Sequence, residues 1–170
     1  MPRYFFALWP DDGVRHQLEA IGERLPDGCG RKVRRENLHI TLVFLGNIDE
    51  LVVERMGPAV AGFKGRKFAL TLDRYGWWKR PQVIWLGTDM VPGPLTDLVA
   101  YLDAVAARHD VHVDSRPYAP HLTLVRKAKR ALPVFSFSPI HWNIRDFCLV
   151  QSITHASGAE YQIMQNWALT

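Results

Sequence analysis

Two histidines stand in the same short motif: His39 within LHITLVFLG, residues 38–46, and His121 within HLTLV, residues 121–125. Each is followed two positions later by a threonine, Thr41 and Thr123. Side chains in an extended strand alternate faces, so histidine and threonine share one face while the aliphatic residues take the other. Each tetrad therefore offers an imidazole beside a hydroxyl, with apolar residues behind to anchor the strand.

That pairing suits a reaction that moves two protons. Histidine titrates close enough to neutrality for one copy to donate a proton while the other accepts one. Adding water across a P–O bond needs both roles, a base to activate the water and an acid to protonate the leaving oxygen on the opposite side. The hydroxyls of Thr41 and Thr123 can donate to non-bridging phosphate oxygens. The scheme calls for no metal and no cofactor. A single His-x-Thr in a strand is usually a polar pair without catalytic use, but a second copy 82 residues later, close to half the chain, favours a duplicated site.

The elements that must hold these motifs follow from periodicity and turn chemistry. Residues 3–9 read as an aromatic opening strand. Pro10 and Asp11 stop it and start a helix to about Leu25, with Leu18, Ile21 and Leu25 at helical spacing. Gly46 and Asn47 end the first tetrad strand, and Asp49 is placed to cap a second helix, in which Pro58 predicts a kink or break near Glu54. KFALTLDR, residues 67–74, alternates as a strand with QVIWLG, residues 82–87, as its expected partner. Residues 95–108 form the clearest helix, and residues 109–118 a connection with room for one short strand. Further strand candidates are 134–137, 147–154 and 161–169.

Strands and helices are interspersed, yet the tetrad strands alternate rather than being apolar on both faces. This predicts an α+β protein with antiparallel sheets and flanking helices. With one tetrad in each half, the expected architecture is a single bilobal domain over residues 1–170, two pseudo-symmetric lobes with the cleft between them.

The chain of 170 residues, 48% hydrophobic and 22% charged, has the balance of a globular protein with a real core. A net charge of +4 and a pI near 9.3 favour an anionic partner. Arg31, Lys32, Arg34 and Arg35 precede the first tetrad, and Arg126, Lys127, Lys129 and Arg130 follow the second, so basic charge brackets both motifs. Cys29 and Cys148 lack the spacing of a thiolate metal site or disulfide framework. The apolar run at residues 4–9 is too short for a signal core, and no stretch approaches membrane-spanning length. The expectation is a cytoplasmic protein with no membrane partner. His109 and His112 lack a third ligand and read as surface histidines. Trp77 and Trp78, beside Arg74, Lys79 and Arg80, either stack on unpaired RNA or cover a sheet from a hairpin tip, the second being preferred.

The sequence resembles the two-histidine phosphoesterase superfamily and, within it, the bacterial RNA 2′,3′-cyclic phosphodiesterases, also called 2′-5′ RNA ligase-like proteins. The resemblance runs from RYFFAL through NLHITLVFLG, VIWLG and RPYAPHLTLVR to NWALT. It implies metal-independent hydrolysis of a terminal 2′,3′-cyclic phosphate to a 2′-phosphomonoester. It also implies that His39 is the proton donor, His121 the proton acceptor, Thr41 and Thr123 phosphate ligands, and Arg126 a cationic phosphate contact. The motifs alone are too symmetric to order acid and base. In a regular strand Arg126 would face away from His121, so a bend or bulge is required. Phe6 and Phe44 are candidate stacking surfaces for the terminal base, against the commoner role of strand phenylalanines in a core. Expected partners are RNA or oligonucleotide ends bearing the cyclic phosphate and cyclic nucleotides, bound by a monomer. RNA-end binding without turnover and reversible 2′-5′ ligation remain alternatives.

Overall fold

Asp11 and Asp49 set the starts of two helices. Asp11 accepts from the Val14 amide at 2.8 Å to cap α1 (Asp12–Glu23), directly after β1 (Arg3–Leu8). Asp49 accepts from the Leu51 amide at 2.9 Å to cap α2 (Glu50–Ala61). The computed structural model describes all 170 residues. Between these helices lie β2 (Arg31–Lys32), a 3-10 turn at Arg35–Asn37, and β3 (Ile40–Asn47). The chain continues through β4 (Phe68–Leu72), β5 (Arg74–Trp78), β6 (Val83–Gly87), α3 (Gly93–Arg108) and β7 (His121–Arg126). It closes with β8 (Ile140–Ile144), β9 (Asp146–His155) and β10 (Gly158–Ala168).

Every strand pair is antiparallel, and the class is α+β. The main sheet runs β10-β9-β1-β3-β7-β6-β5, with β2 added on β7, while β4 and β8 form a separate ribbon. The two motif strands are therefore neighbours at the centre. They meet at one residue pair, Ile40 opposite Leu122, and part on either side of it. That parting opens the sheet face above them.

Helices cover the other face: α3 packs against β3, α2 against α3, and α1 against β8. The main core lies on this side and includes Leu18, Ile40, Leu98, Leu102 and Leu122, all with no exposed surface. A small cluster of Phe5, Ala7, Cys148 and Val150 lies on the motif side. No helix is long and apolar enough to cross a membrane.

Several local expectations are corrected. KFALTL pairs with β8, whose buried Ile140, Trp142 and Ile144 alternate cleanly, and the partner of β6 is β5 across a short turn with Gln82 at φ 55°. The YGWW segment is thus a strand in its own right. Residues 134–137 and the 109–118 connection contain no strand. The helix α2 runs through Pro58 without a break. Pro58 and Glu54 both lie on the exposed side, where water can serve the carbonyl that proline leaves without a donor.

Candidate active site

Ile40 and Leu122 are fully buried, and the alternation about them turns His39, Thr41, His121 and Thr123 to the open face. Counting outward from the Ile40–Leu122 pair puts His39 on the Thr123 side and His121 on the Thr41 side. The four polar groups thus form a near-symmetric set, lining one cleft of about 480 Å³ together with Arg126.

Backbone carbonyls fix both imidazoles in the same way. His39 Nδ1–H donates to the Asn37 carbonyl at 2.7 Å, and His121 Nδ1–H donates to the Ala119 carbonyl at 2.9 Å. A carbonyl can only accept, so each Nδ1 carries the proton and each neutral ring keeps its lone pair at Nε2. The Thr41 hydroxyl donates to His39 Nε2 at 3.1 Å. Both rings are oriented before any ligand arrives.

Arg126 reaches this face through a bulge. On the β6–β7 ladder Ile84 pairs with Val125 and Trp85 with Thr123, leaving Leu124 as the extra residue. Leu124 and Val125 are consequently both buried, and Arg126 returns to the histidine side. A bulge at the matching place in β3 leaves Leu42 extra between the Thr41–Ala7 and Val43–Phe6 pairs. Leu42 and Val43 are both buried there, and Phe44 emerges 53% exposed. Phe44 lines an adjoining cleft of about 460 Å³ with Trp78, Tyr118, Thr41 and His121.

Phe6 is not at the cleft. It is 1% exposed and belongs to the main core, on the helix side of β1. Its neighbour Phe5 takes the opposite face and stacks on His39, with ring centroids 5.0 Å apart. Because β1 is covered on both faces, its residues give no polar alternation from which to choose between them. Trp9 stacks on His39 at 5.3 Å and an interplanar angle of 13°, and Tyr161 meets it edge-on at 5.1 Å. These three rings enclose His39.

Arg15 and Tyr118 join the site without a motif to announce them. Arg15 is 7% exposed; its guanidinium donates to the carbonyls of Pro10 at 3.1 Å, Leu38 at 3.3 Å and Arg35, and lies 5.6 Å from the Trp9 ring. It thereby ties α1 to the backbone entering the first motif. The detectable signal was an arginine three residues before Leu18, within the apolar stripe of α1. Tyr118 donates to the Thr41 carbonyl at 3.0 Å, linking the approach to β7 with β3. Trp77 donates to the Ala128 carbonyl at 2.8 Å and packs on the core, while Trp78 meets His121 edge-on at 4.5 Å. Trp77 thus covers the core as preferred, while Trp78 lines the cleft beside His121. His109 Nδ1–H donates to the Val105 carbonyl at 2.9 Å, within its own helix.

Burial pushes His39 down to about 4, helped by Arg126, His121 and Arg15, while the bond to the Asn37 carbonyl opposes the fall. Burial and then Arg126 also lower His121, with the Ala119 carbonyl opposing. Both rings are therefore held towards their neutral forms in the free site, one Nε2 accepting from Thr41 and Arg126 lining the same cleft. Such a space favours an anion, whose charge would restore the proton to a histidine.

Two His-x-Thr strands joined at the centre of an antiparallel sheet, under one cationic cleft, define a two-histidine phosphoesterase. The family model described as LigT like Phosphoesterase matches residues 8–85, which contain the first motif. The chain is 33% identical to RNA 2′,3′-cyclic phosphodiesterase of Escherichia coli K12, covering 99% of this chain and 97% of the relative. It is 31% identical to the enzyme of that name from Archaeoglobus fulgidus, over 94% and 96%. The crystal structure of E. coli LigT complexed with 3′-AMP superposes with a TM-score of 0.91 at 31% identity, covering 100% of this chain and 99% of that one. The same protein's apo form gives 0.90 at 32%, over 99% and 98%. This chain belongs to the LigT-like phosphoesterase family of RNA 2′,3′-cyclic phosphodiesterases.

Proposed function

We propose that this protein hydrolyses the terminal 2′,3′-cyclic phosphate of RNA to a 2′-phosphomonoester, using its two histidines as the proton-transfer pair and no metal. The observation that carries the mechanism is the paired fixing of Nδ1 by backbone carbonyls, which reserves both Nε2 atoms for the side shared with Thr41, Thr123 and Arg126, the Thr41 hydroxyl donating to that of His39 in the free site. His121 Nε2 takes a proton from water as its oxygen bonds to phosphorus. The P–O3′ bond breaks, and His39 Nε2–H delivers a proton to the departing 3′ oxygen. The phosphate stays on the 2′ oxygen.

Burial and Arg126 work against a protonated His39 in the free site, so the order rests on the bound phosphate anion offsetting them. The faces of Phe5 and Trp9 stack on His39 and favour its protonated, cationic form once a phosphate anion is bound. His121 makes a single T-shaped contact, with Trp78, and has no stacked ring on its faces. Thr41, Thr123 and Arg126 hold the non-bridging oxygens, and Phe44 with Trp78 receives the terminal base. One chain supplies both histidines, so a monomer acting on RNA ends in the cytoplasm suffices. The names of the relatives, and a LigT complex with 3′-AMP, support the substrate class.

Product analysis tests the reading. Adenosine 2′,3′-cyclic phosphate and a cyclic-phosphate-terminated oligonucleotide are expected to yield the 2′-phosphate alone, at a rate that EDTA leaves unchanged. A 3′-phosphate product, or inhibition by EDTA that a divalent ion reverses, would overturn it.

A further inference from the structure

The β2–β7 pairing sets Arg31 directly opposite Arg126. Like charges facing each other across a ladder destabilise it, so the pairing calls for a compensating group. No carboxylate supplies it: Arg31 makes one side-chain bond, to the Ser157 carbonyl at 2.6 Å, and takes part in no ion pair. Arg34 lies beside them and has only Glu36 at 3.7 Å, with both side chains more than half exposed. Such a contact neutralises little.

These arginines border a depression of about 110 Å³ that shares Val33, Asn37 and Arg126 with the histidine cleft. Its far wall is Gly158, in the turn between β9 and β10. A Cβ at Gly158 would collide with the Arg31 guanidinium, and Arg34 Nη2 lies 3.8 Å from the same point. Gly158 thus leaves room for the Arg31 guanidinium where it now lies. The depression shares no residue with the apolar cleft of Phe44 and Trp78, so the two leave the histidines on different sides.

We propose that Arg31 and Arg34 form a second phosphate subsite, which holds the phosphate on the 5′ oxygen of the terminal nucleotide. In an RNA chain that group is the diester to the preceding nucleotide. The proposal rests on the reading that the histidine cleft holds the terminal cyclic phosphate. With the base on the Phe44 side, the backbone leaves over Arg126 towards Arg31 and Arg34. The enzyme then selects polynucleotide ends over cyclic mononucleosides through charge, without reading sequence.

Calorimetric titration of the full chain with adenosine 2′-monophosphate and adenosine 2′,5′-bisphosphate isolates this contact. The bisphosphate is expected to bind about tenfold more tightly, with an advantage that shrinks as salt is raised. Arg34→Glu should reduce the advantage to under about threefold and Arg34→Lys should restore much of it, both leaving monophosphate affinity within about twofold. Arg34 is exposed and serves no backbone carbonyl, so these variants fold where Arg31→Ala would also lose the Ser157 bond. Equal binding of the two ligands by the unmodified protein, or equal weakening of both by Arg34→Glu, would overturn the subsite. Turnover of adenosine 2′,3′-cyclic phosphate is measured in parallel. Its absence sinks the hydrolytic reading, while the binding comparison still decides the subsite.

Discussion

Phe44 and Arg126 occupy the same place in the two motifs: each stands five residues after its histidine, and a β-bulge two residues before turns each back to the open face. The halves of the site are alike in backbone and different in chemistry, one ending in a ring and the other in a cation. In the proposed function, anion and base lie at opposite ends of one symmetric frame.

The contrast between Phe44 and Phe6 can be measured. Phe44→Ala should leave thermal stability nearly unchanged and weaken substrate binding by about 1–3 kcal/mol, read as a rise in KM. Phe6→Ala, in the core, should cost about 3–5 kcal/mol of stability by urea denaturation. A reversal of the two phenotypes would show that the facing of β1 or β3 is misassigned.

Replacing either His39 or His121 by alanine is expected to lower kcat/KM on a cyclic-phosphate-terminated oligonucleotide by about 10²- to 10⁴-fold, with circular dichroism unaltered. The double variant should be little worse than the weaker single one, because each proton transfer depends on the other. Full activity in either single variant is incompatible with the two-histidine mechanism.

Arg126 depresses both imidazoles, so its loss should show in pH dependence as well as affinity. The profile of kcat/KM should be bell-shaped, reporting the histidine pair rather than either residue. Arg126→Ala should raise KM and move the acidic limb to higher pH, since the base then holds its proton more tightly. An unmoved limb would place Arg126 outside the electrostatics of the site.

Stability should fall with acidification across a defined window. The unfolded chain takes up a proton on His39 near its ordinary value of about 6.5, whereas the folded protein resists until about 4. The unfolded state therefore binds more protons between those values. Folding free energy is lost as pH drops through them, by at most about 1.4 kcal/mol per pH unit from this group. Melting temperatures from pH 7.5 to 4 should decline less steeply for His39→Gln than for the unmodified protein. Identical slopes would remove His39 as the cause.

Arg15→Ala should both destabilise and slow the enzyme. It strips donors from the carbonyls of Pro10, Arg35 and Leu38, at about 3–5 kcal/mol if they remain dry, and frees the segment that leads to His39. Arg15→Lys, which keeps the charge but not the forked geometry, should recover part of the stability and less of kcat. A variant with normal kcat would show that His39 is held by its own strand alone.

The sequence by itself determined the duplicated motif, the face on which each histidine and threonine lies, the capped first helix and the α+β class. These follow from side-chain periodicity and capping chemistry, which act within a few residues. Tertiary structure decided the pairing of β4 with β8, the facing of Phe5 rather than Phe6 towards His39, the split of Trp77 from Trp78, and the burial of Arg15. Above all it decided the two bulges that carry Arg126 into the histidine cleft and Phe44 into the adjoining one. A bulge exists only as a mismatch between hydrogen-bonded strands distant in sequence, so no local pattern in HITLVF or HLTLVR could announce it.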